Sequence, residues 1–239
     1  MSTELGFECV DEQDEFWVIN KYPGISMHSE NTEIGLCQRI KNQFNSKECL
    51  PVHRLDKVTS GIVLLAKNHK AASELSLLFQ NRQVEKYYIA ISDRKPKKKQ
   101  GLIIGDMTKA RRGAWKLEKT KKNPAITQFF SSSIGQGRRL YWLKPSTGKT
   151  HQIRVALRSI GAPIIGDSSY YSPVTEANKW DRTYLHAYSL AFVFQGVEYR
   201  YQVKPTSGKL FVENGVSECL KKEQNPNELP WPTLKNTPI

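Results

Sequence analysis

Six consecutive residues, Gly61-Ile62-Val63-Leu64-Leu65-Ala66, carry no polar side chain. The run predicts a β-strand buried on both faces. It is also the most apolar stretch available, far below the ~20 residues that a bilayer crossing needs. The chain has 239 residues, of which 38% are hydrophobic and 10% aromatic, so it can bury a full core around that strand as one large domain or two small ones. Mean hydropathy is −0.54, which speaks against a membrane span. Six acids precede the first lysine, Lys21, the reverse of a basic then apolar secretory leader, so a cytoplasmic protein is expected.

Other elements follow from local pattern. Phe16 to Asn20 is predicted as a strand closed by the turn Tyr22-Pro23-Gly24. Ile34, Cys37, Ile40 and Phe44 fall near helical spacing, as do Ala72, Leu75, Leu78 and Phe79 in a segment that Asn68 can cap. Strands are expected at KYYIAIS (86–92), AITQFF (125–130), LYWLK (140–144), LHAYSLAFVF (185–194) and VEYRYQVK (197–204), with Gly135-Gln136-Gly137 as a hairpin connection. THQIRVALRSIG (150–161) reads as an amphipathic helix with Thr150 as its N-cap, Ile153, Ala156, Leu157 and Ile160 inward, and His151, Arg154 and Arg158 on a basic outer face. The C-terminal stretch from Lys221 has too many Pro, Asn and charged residues for regular structure, though Trp231 can dock. Many strands with few helices between them imply an α+β fold with a mixed, mostly antiparallel central sheet flanked by a few helices and loops. The expected organisation is a catalytic domain over 1–219, with a basic insertion at about 94–122, followed by a tail over 220–239.

Charge indicates the partner class. With 36 Lys and Arg against 23 Asp and Glu, the formal charge is +13. A surplus of this size favours a polyanion such as RNA, DNA or an anionic membrane. Residues 94–122 concentrate it, with twelve Lys or Arg against only Asp106 and Glu118. Within that segment Trp115 lies among Arg111, Arg112, Lys116 and Lys119, where it can stack on a base or else anchor the loop to the core. Cys9, Cys37, Cys49 and Cys219 form no CxxC pair and have no His at ligand spacing, so reduced thiols are expected, with neither a zinc site nor a disulfide framework.

Two clusters can carry chemistry. In PVHRLDKVTSG, the residues His53, Arg54, Asp56, Lys57, Thr59 and Ser60 directly precede the apolar strand. Asp56 among cations stays ionised and can be a nucleophile, or it can be a turn residue capping its own backbone. In STGKTHQIR, Lys149, His151 and Arg154 can crowd around one anionic point or form a solvated basic helix face. An inward guanidinium there can hold a buried carboxylate bidentately.

Taken together, HRLDKVTSG, EKYYIA and GKTHQIRVALRSIGAPIIGDSSY resemble the RluA-type pseudouridine synthases, which isomerise uridine in RNA. The resemblance runs from VINKYPGISMH to YLHAYSLAF. It implies that Asp56 is the catalytic aspartate, that Arg54 fills the RNA stack when the target base is extruded, that Tyr88 packs against the extruded uracil with Tyr87 as competing candidate, and that Arg154 pairs with the aspartate. It implies ribosomal or transfer RNA as partner. His53, Lys149, His151, Arg111, Arg112 and Trp115 complete the expected RNA-contacting set, and Lys21 either lines the site or serves the turn. Ala156 and Tyr171 depart from the His and Gly common in relatives, and the segment before Phe16 leaves no room for the N-terminal RNA-binding module of some of them.

The chemistry agrees with these roles. The reaction breaks N1–C1′ and joins C1′ to C5 with no net redox change, so no cofactor and no metal are expected, and the base must leave its stack. A carboxylate kept ionised in a dry pocket needs a fixed cation, which is the reason to expect Arg154 beside Asp56. A monomer is expected. The rival readings are a non-catalytic RNA-binding protein on the same scaffold and an Asp-dependent glycosidic hydrolase, the latter weakened by the lack of a second carboxylate in these motifs.

Overall fold

The computed structural model describes residues 5–30, 32–223 and 225–233. These form two compact units, one from the residues up to Lys86 together with Leu185–Pro205, the other from Tyr87–Tyr184 together with the residues from Thr206 onward. The strand pairing is mixed and mostly antiparallel, with few helices, as the strand-rich pattern implies.

In the first unit the apolar run becomes β4 (Ser60–Ala66), every residue of it buried. It pairs antiparallel with β2 (Phe16–Lys21), which pairs in turn with β1 (Phe7–Glu12). The short β3 (Leu50–Pro51) also pairs with β4. The start of β4 runs parallel to β11 (Leu185–Phe194), with His186 opposite Ser60 and Ala187 opposite Gly61. Gly61 adopts φ +109, and a Cβ there would lie 2.2 Å from the Ala187 carbonyl oxygen, so this approach admits only glycine. β12 (Val197–Gln202) returns along β11. Helix α1 (Leu36–Gln43) buries Leu36, Cys37 and Ile40, while α2 (His69–Gln80) starts where the Asn68 side chain accepts the Ala71 amide at 2.9 Å. Its Ala71 and Leu75 enter the same cluster as Phe16, Leu64 and Phe192. For β2, β4 and α2 the local signals that predict the element are the interactions that form it.

The second unit is built on β5 (Glu85–Ser92, whose first two residues belong to the other unit), β9 (Ala125–Gly135) and β10 (Arg138–Pro145), with β10 antiparallel to both neighbours and β6 (Gln100–Gly105) on the outer side of β9. The Gly135–Gly137 hairpin forms as expected. The basic segment, for which pattern gives no element, contains β6 and a separate hairpin of β7 (Met107–Lys109) and β8 (Trp115–Leu117), with a single 3-10 turn at Arg111–Gly113 as its tip. The two hairpin strands are three residues long and bury no residue fully, too short for an alternation to announce them.

Two expectations are corrected here. Helix α3 (Gln152–Ser159) has His151, not Thr150, as N-cap, in the left-handed conformation at φ 56. The Gln152 side-chain oxygen meets the needs of this turn by accepting from the Lys149 amide and the Thr147 hydroxyl. Nor is the stretch from Lys221 irregular throughout: a helix, α5 (Asn214–Lys222), runs through the expected domain boundary at 219, and Pro226–Glu228 is a 3-10 turn. Val216, Cys219 and Leu220 are buried on one face of α5. That apolar spacing outweighs the polar composition around it. Residues 234–239 of the tail lie outside the described residues. A further short helix, α4, spans Val174–Ala177.

Candidate active site

Asp56 sits in the turn that leads into β4. Leu55 beside it is buried, Asp56 is half-buried, and Arg54 and Lys57 are exposed. The turn is closed by the Thr59 amide donating to the Asp56 carbonyl at 3.0 Å. A lysine holds it from beneath. Lys21, 0% exposed, donates from Nζ to the carbonyls of Tyr22 and Ile25 at 2.9 Å and of Lys57 at 3.3 Å, and the Gly24 amide joins the Lys57 carbonyl at 2.8 Å. Of the two readings of Lys21, these contacts support the structural one. Lys57 extends outward to Glu33, 2.5 Å away.

His53, expected among the RNA contacts, also makes contacts within the unit. Its Nε2 accepts the Leu64 amide of β4 at 2.9 Å, and its ring stacks on Phe79 with centroids 4.4 Å apart. Burial, reinforced by the Lys86 charge, pushes the imidazole down to about 3, so it stays neutral with its proton on Nδ1. Lys86 lies over the same aromatic ring, Nζ 5.6 Å from the Phe79 centroid, and burial pushes it down to about 8.

Strand alternation separates the two tyrosines of KYYIA. Tyr87 is 1% exposed, its hydroxyl bonded to the Asn227 carboxamide and its ring against Trp231 at 5.7 Å. Trp231 in turn donates to the Pro226 carbonyl at 2.7 Å. Tyr87 is therefore committed to the C-terminal segment, while Tyr88 is half-buried on the opposite face of β5. That favours Tyr88 as the uracil-packing candidate.

Around α3 the second unit builds a denser network. Arg154 is 5% exposed and Asp167 0%. Their contact is bidentate, Nε to Oδ2 and Nη2 to Oδ1, both at 2.8 Å, and Nη2 also reaches the Ser169 hydroxyl at 3.2 Å. Of the two readings of Arg154, a solvated helix face and an inward guanidinium on a buried carboxylate, these contacts are those of the second. Its side chain is drawn in because the turn after Gly166 presents a carboxylate to it. Gly166 permits that turn, since a Cβ there would lie 1.9 Å from the Arg182 carbonyl oxygen. Tyr170, three residues beyond Asp167, places its ring 5.0 Å from the Arg154 guanidinium carbon and its hydroxyl 2.9 Å from His151 Nδ1. The same hydroxyl accepts the Trp115 backbone amide at 2.9 Å. Lys149 donates to the Asn123 side chain at 2.7 Å.

The basic hairpin is braced by its own two acids. Asp106 accepts the Lys122 and Asn123 amides at 3.0 and 2.8 Å, and the Thr120 hydroxyl with these amides holds its carboxyl below the usual range. Glu118 accepts from the Thr108 hydroxyl at 2.9 Å and from Lys116 at 2.8 Å. Arg111, Arg112 and Lys119 are exposed, and Trp115 is half-buried. A preformed cationic surface of this kind suits phosphate contacts. Asp167 and Tyr170 are the residues that pattern reasoning missed. The one signal for them was the GD that follows the THQIR string.

Four cysteines are free thiols, and among the described residues no group of three His, Cys, Asp or Glu could hold a metal ion. Comparison with known proteins gives this arrangement its context. Residues 15–159 match the family described as RNA pseudouridylate synthase. An uncharacterized RNA pseudouridine synthase of Haemophilus influenzae is 49% identical over 217 residues, 91% of this chain and 96% of the relative. The dual-specificity RNA pseudouridine synthase RluA of Pasteurella multocida is 32% identical over 80% of this chain and 88% of its own length. Among solved structures, human RNA pseudouridylate synthase domain containing 1 superposes with TM-score 0.74 at 21% identity, covering 96% of this chain and 98% of that one, a likeness of fold. The chain belongs to the RNA pseudouridylate synthase family, isomerases that convert uridine to pseudouridine in RNA.

Proposed function

We propose that this protein isomerises one or a few uridines in ribosomal or transfer RNA, with the Asp56 carboxylate as the group that starts the reaction on an extruded nucleotide. The observation that carries the reading is the family match over residues 15–159, which takes in Asp56, Tyr88 and Arg154. The reaction breaks the N1–C1′ bond, turns the uracil and forms C1′–C5, while the hydrogen on C5 leaves as a proton and N1 gains one. Asp56 supplies the anionic oxygen, its backbone fixed by the Lys21 and Thr59 contacts. Arg154, buried with a carboxylate partner, supplies fixed positive charge, and Tyr88 the aromatic platform for the loose base. Arg54 fills the vacated stack.

Lys149, His151, Arg111, Arg112 and Trp115 serve binding, with the hairpin as the principal phosphate contact. Among the described residues no helix is long and apolar enough to cross a membrane. The protein acts as a monomer in the cytoplasm. A transcriptome-wide pseudouridine map with and without the gene tests this reading. Loss of one ribosomal or transfer RNA position is the expected result, and an unchanged map would favour a non-catalytic RNA-binding role.

A further inference from the structure

We propose that Tyr170 is a positioning residue with two separable duties: its hydroxyl tethers the basic hairpin, and its ring seats the Arg154 guanidinium. Tyr170 is 6% exposed and belongs to the turn that also carries Asp167, whose backbone carbonyl accepts the Tyr170 amide at 3.1 Å. The hydroxyl takes the Trp115 amide at 2.9 Å. A backbone group of β8 is thus hydrogen-bonded to the turn that follows Gly166. The hydroxyl also faces His151 Nδ1 at 2.9 Å and can donate to it when the imidazole proton is on Nε2. His151 is the left-handed residue at the head of α3, and Arg154 lies three residues further along the same helix.

The ring does a different thing. It lies 5.0 Å from the Arg154 guanidinium carbon while Asp167 grips two of the guanidinium nitrogens at 2.8 Å. A planar cation fixed on one edge by a carboxylate and on one face by a quadrupole has little rotational freedom left. One side chain therefore joins the phosphate-binding hairpin to the buried cation, and substitutions that remove its hydroxyl or its ring should separate RNA binding from chemistry.

The inference rests on the pseudouridine synthase reading for its second half only. Tyr170→Phe keeps the ring and removes the tether. In the free protein, hydrogen exchange over residues 107–117 should then accelerate, led by the Trp115 amide, with exchange in β9 and β10 unchanged. With total RNA from cells lacking the gene, tritiated at uridine C5, isomerisation expels the label into water. Tyr170→Phe should raise the half-saturating RNA concentration about fivefold and change the saturated rate by less than about twofold, the scale of one neutral hydrogen bond. Tyr170→Leu should lower the saturated rate roughly tenfold below that of Tyr170→Phe. Unchanged exchange in Tyr170→Phe overturns the tether, whatever the activity. Equal saturated rates for the folded Phe and Leu variants overturn the seating of Arg154. If the wild type released no tritium, the enzyme reading would fall while the exchange result still decided the tether.

Discussion

Arg154 and Asp167 form a two-point contact with both side chains out of water, Nε on Oδ2 and Nη2 on Oδ1. Removing Asp167 takes two charge-assisted hydrogen bonds away from a buried guanidinium. Asp167→Ala should therefore cost about 3–5 kcal/mol of folding stability, readable as a shift in the urea midpoint. The paired change Arg154→Met with Asp167→Leu should recover much of that stability without recovering tritium release. Recovery of activity by the apolar pair would show that the cation has no part in the reaction.

Asp56 is held by backbone contacts that do not use its carboxylate: Thr59 donates to its carbonyl, and Lys21 and Gly24 bind the next one. Asp56→Asn keeps these backbone contacts, so it should fold, bind RNA within about threefold of wild type, and release no tritium above background, on the order of a 10⁴-fold loss. An active Asp56→Asn enzyme would remove this residue from the mechanism.

His53 makes the fold sensitive to acid. Its folded value lies far below the ordinary histidine value, so the unfolded chain takes up a proton first as pH falls, and the stability that His53 contributes above about pH 6.5 is lost on the way down to about 3. Between pH 7 and pH 5 the wild type should lose about 1–2 kcal/mol more than His53→Gln, whose carboxamide oxygen can still accept the Leu64 amide. Parallel pH profiles in urea titrations would show that His53 is not the group responsible.

The hairpin charges should set the salt dependence. Neutralising Lys109, Arg111, Arg112 and Lys116 together should weaken RNA binding and flatten the plot of log affinity against log salt by about 0.7–0.9 for each phosphate that the protein no longer neutralises. Asp106→Ala leaves those charges in place but removes the acceptor for two amides. It should weaken binding by loosening the hairpin while keeping the slope. Measuring affinity at several salt concentrations distinguishes the two effects.

Much of the first unit was legible because its determinants are local. An unbroken apolar run can only be buried as β4, and Asn68 can cap α2 because cap and amide lie three residues apart. Asp56 stood out for the same reason, as an acid among cations directly before that run. The α5 helix was hidden by the polar residues beyond it, and the β7–β8 hairpin by strands too short to show a period.

The sequence by itself determined most of the longer strand and helix segments, the cationic surplus and the catalytic candidates, since each depends on residues a few positions apart. Tertiary structure decided which side of each element faces inward where local pattern is silent or misleading. Periodicity places Arg154 with the polar residues of α3, yet a carboxylate thirteen positions later offsets the cost of taking its charge out of water. Alternation puts Tyr87 and Tyr88 on opposite faces, and it is residues far away along the chain, Asn227 and Trp231 among them, that cover Tyr87. His53 is polar in sequence and part of the packing in space, because the backbone amide it satisfies belongs to β4, a strand with every residue buried.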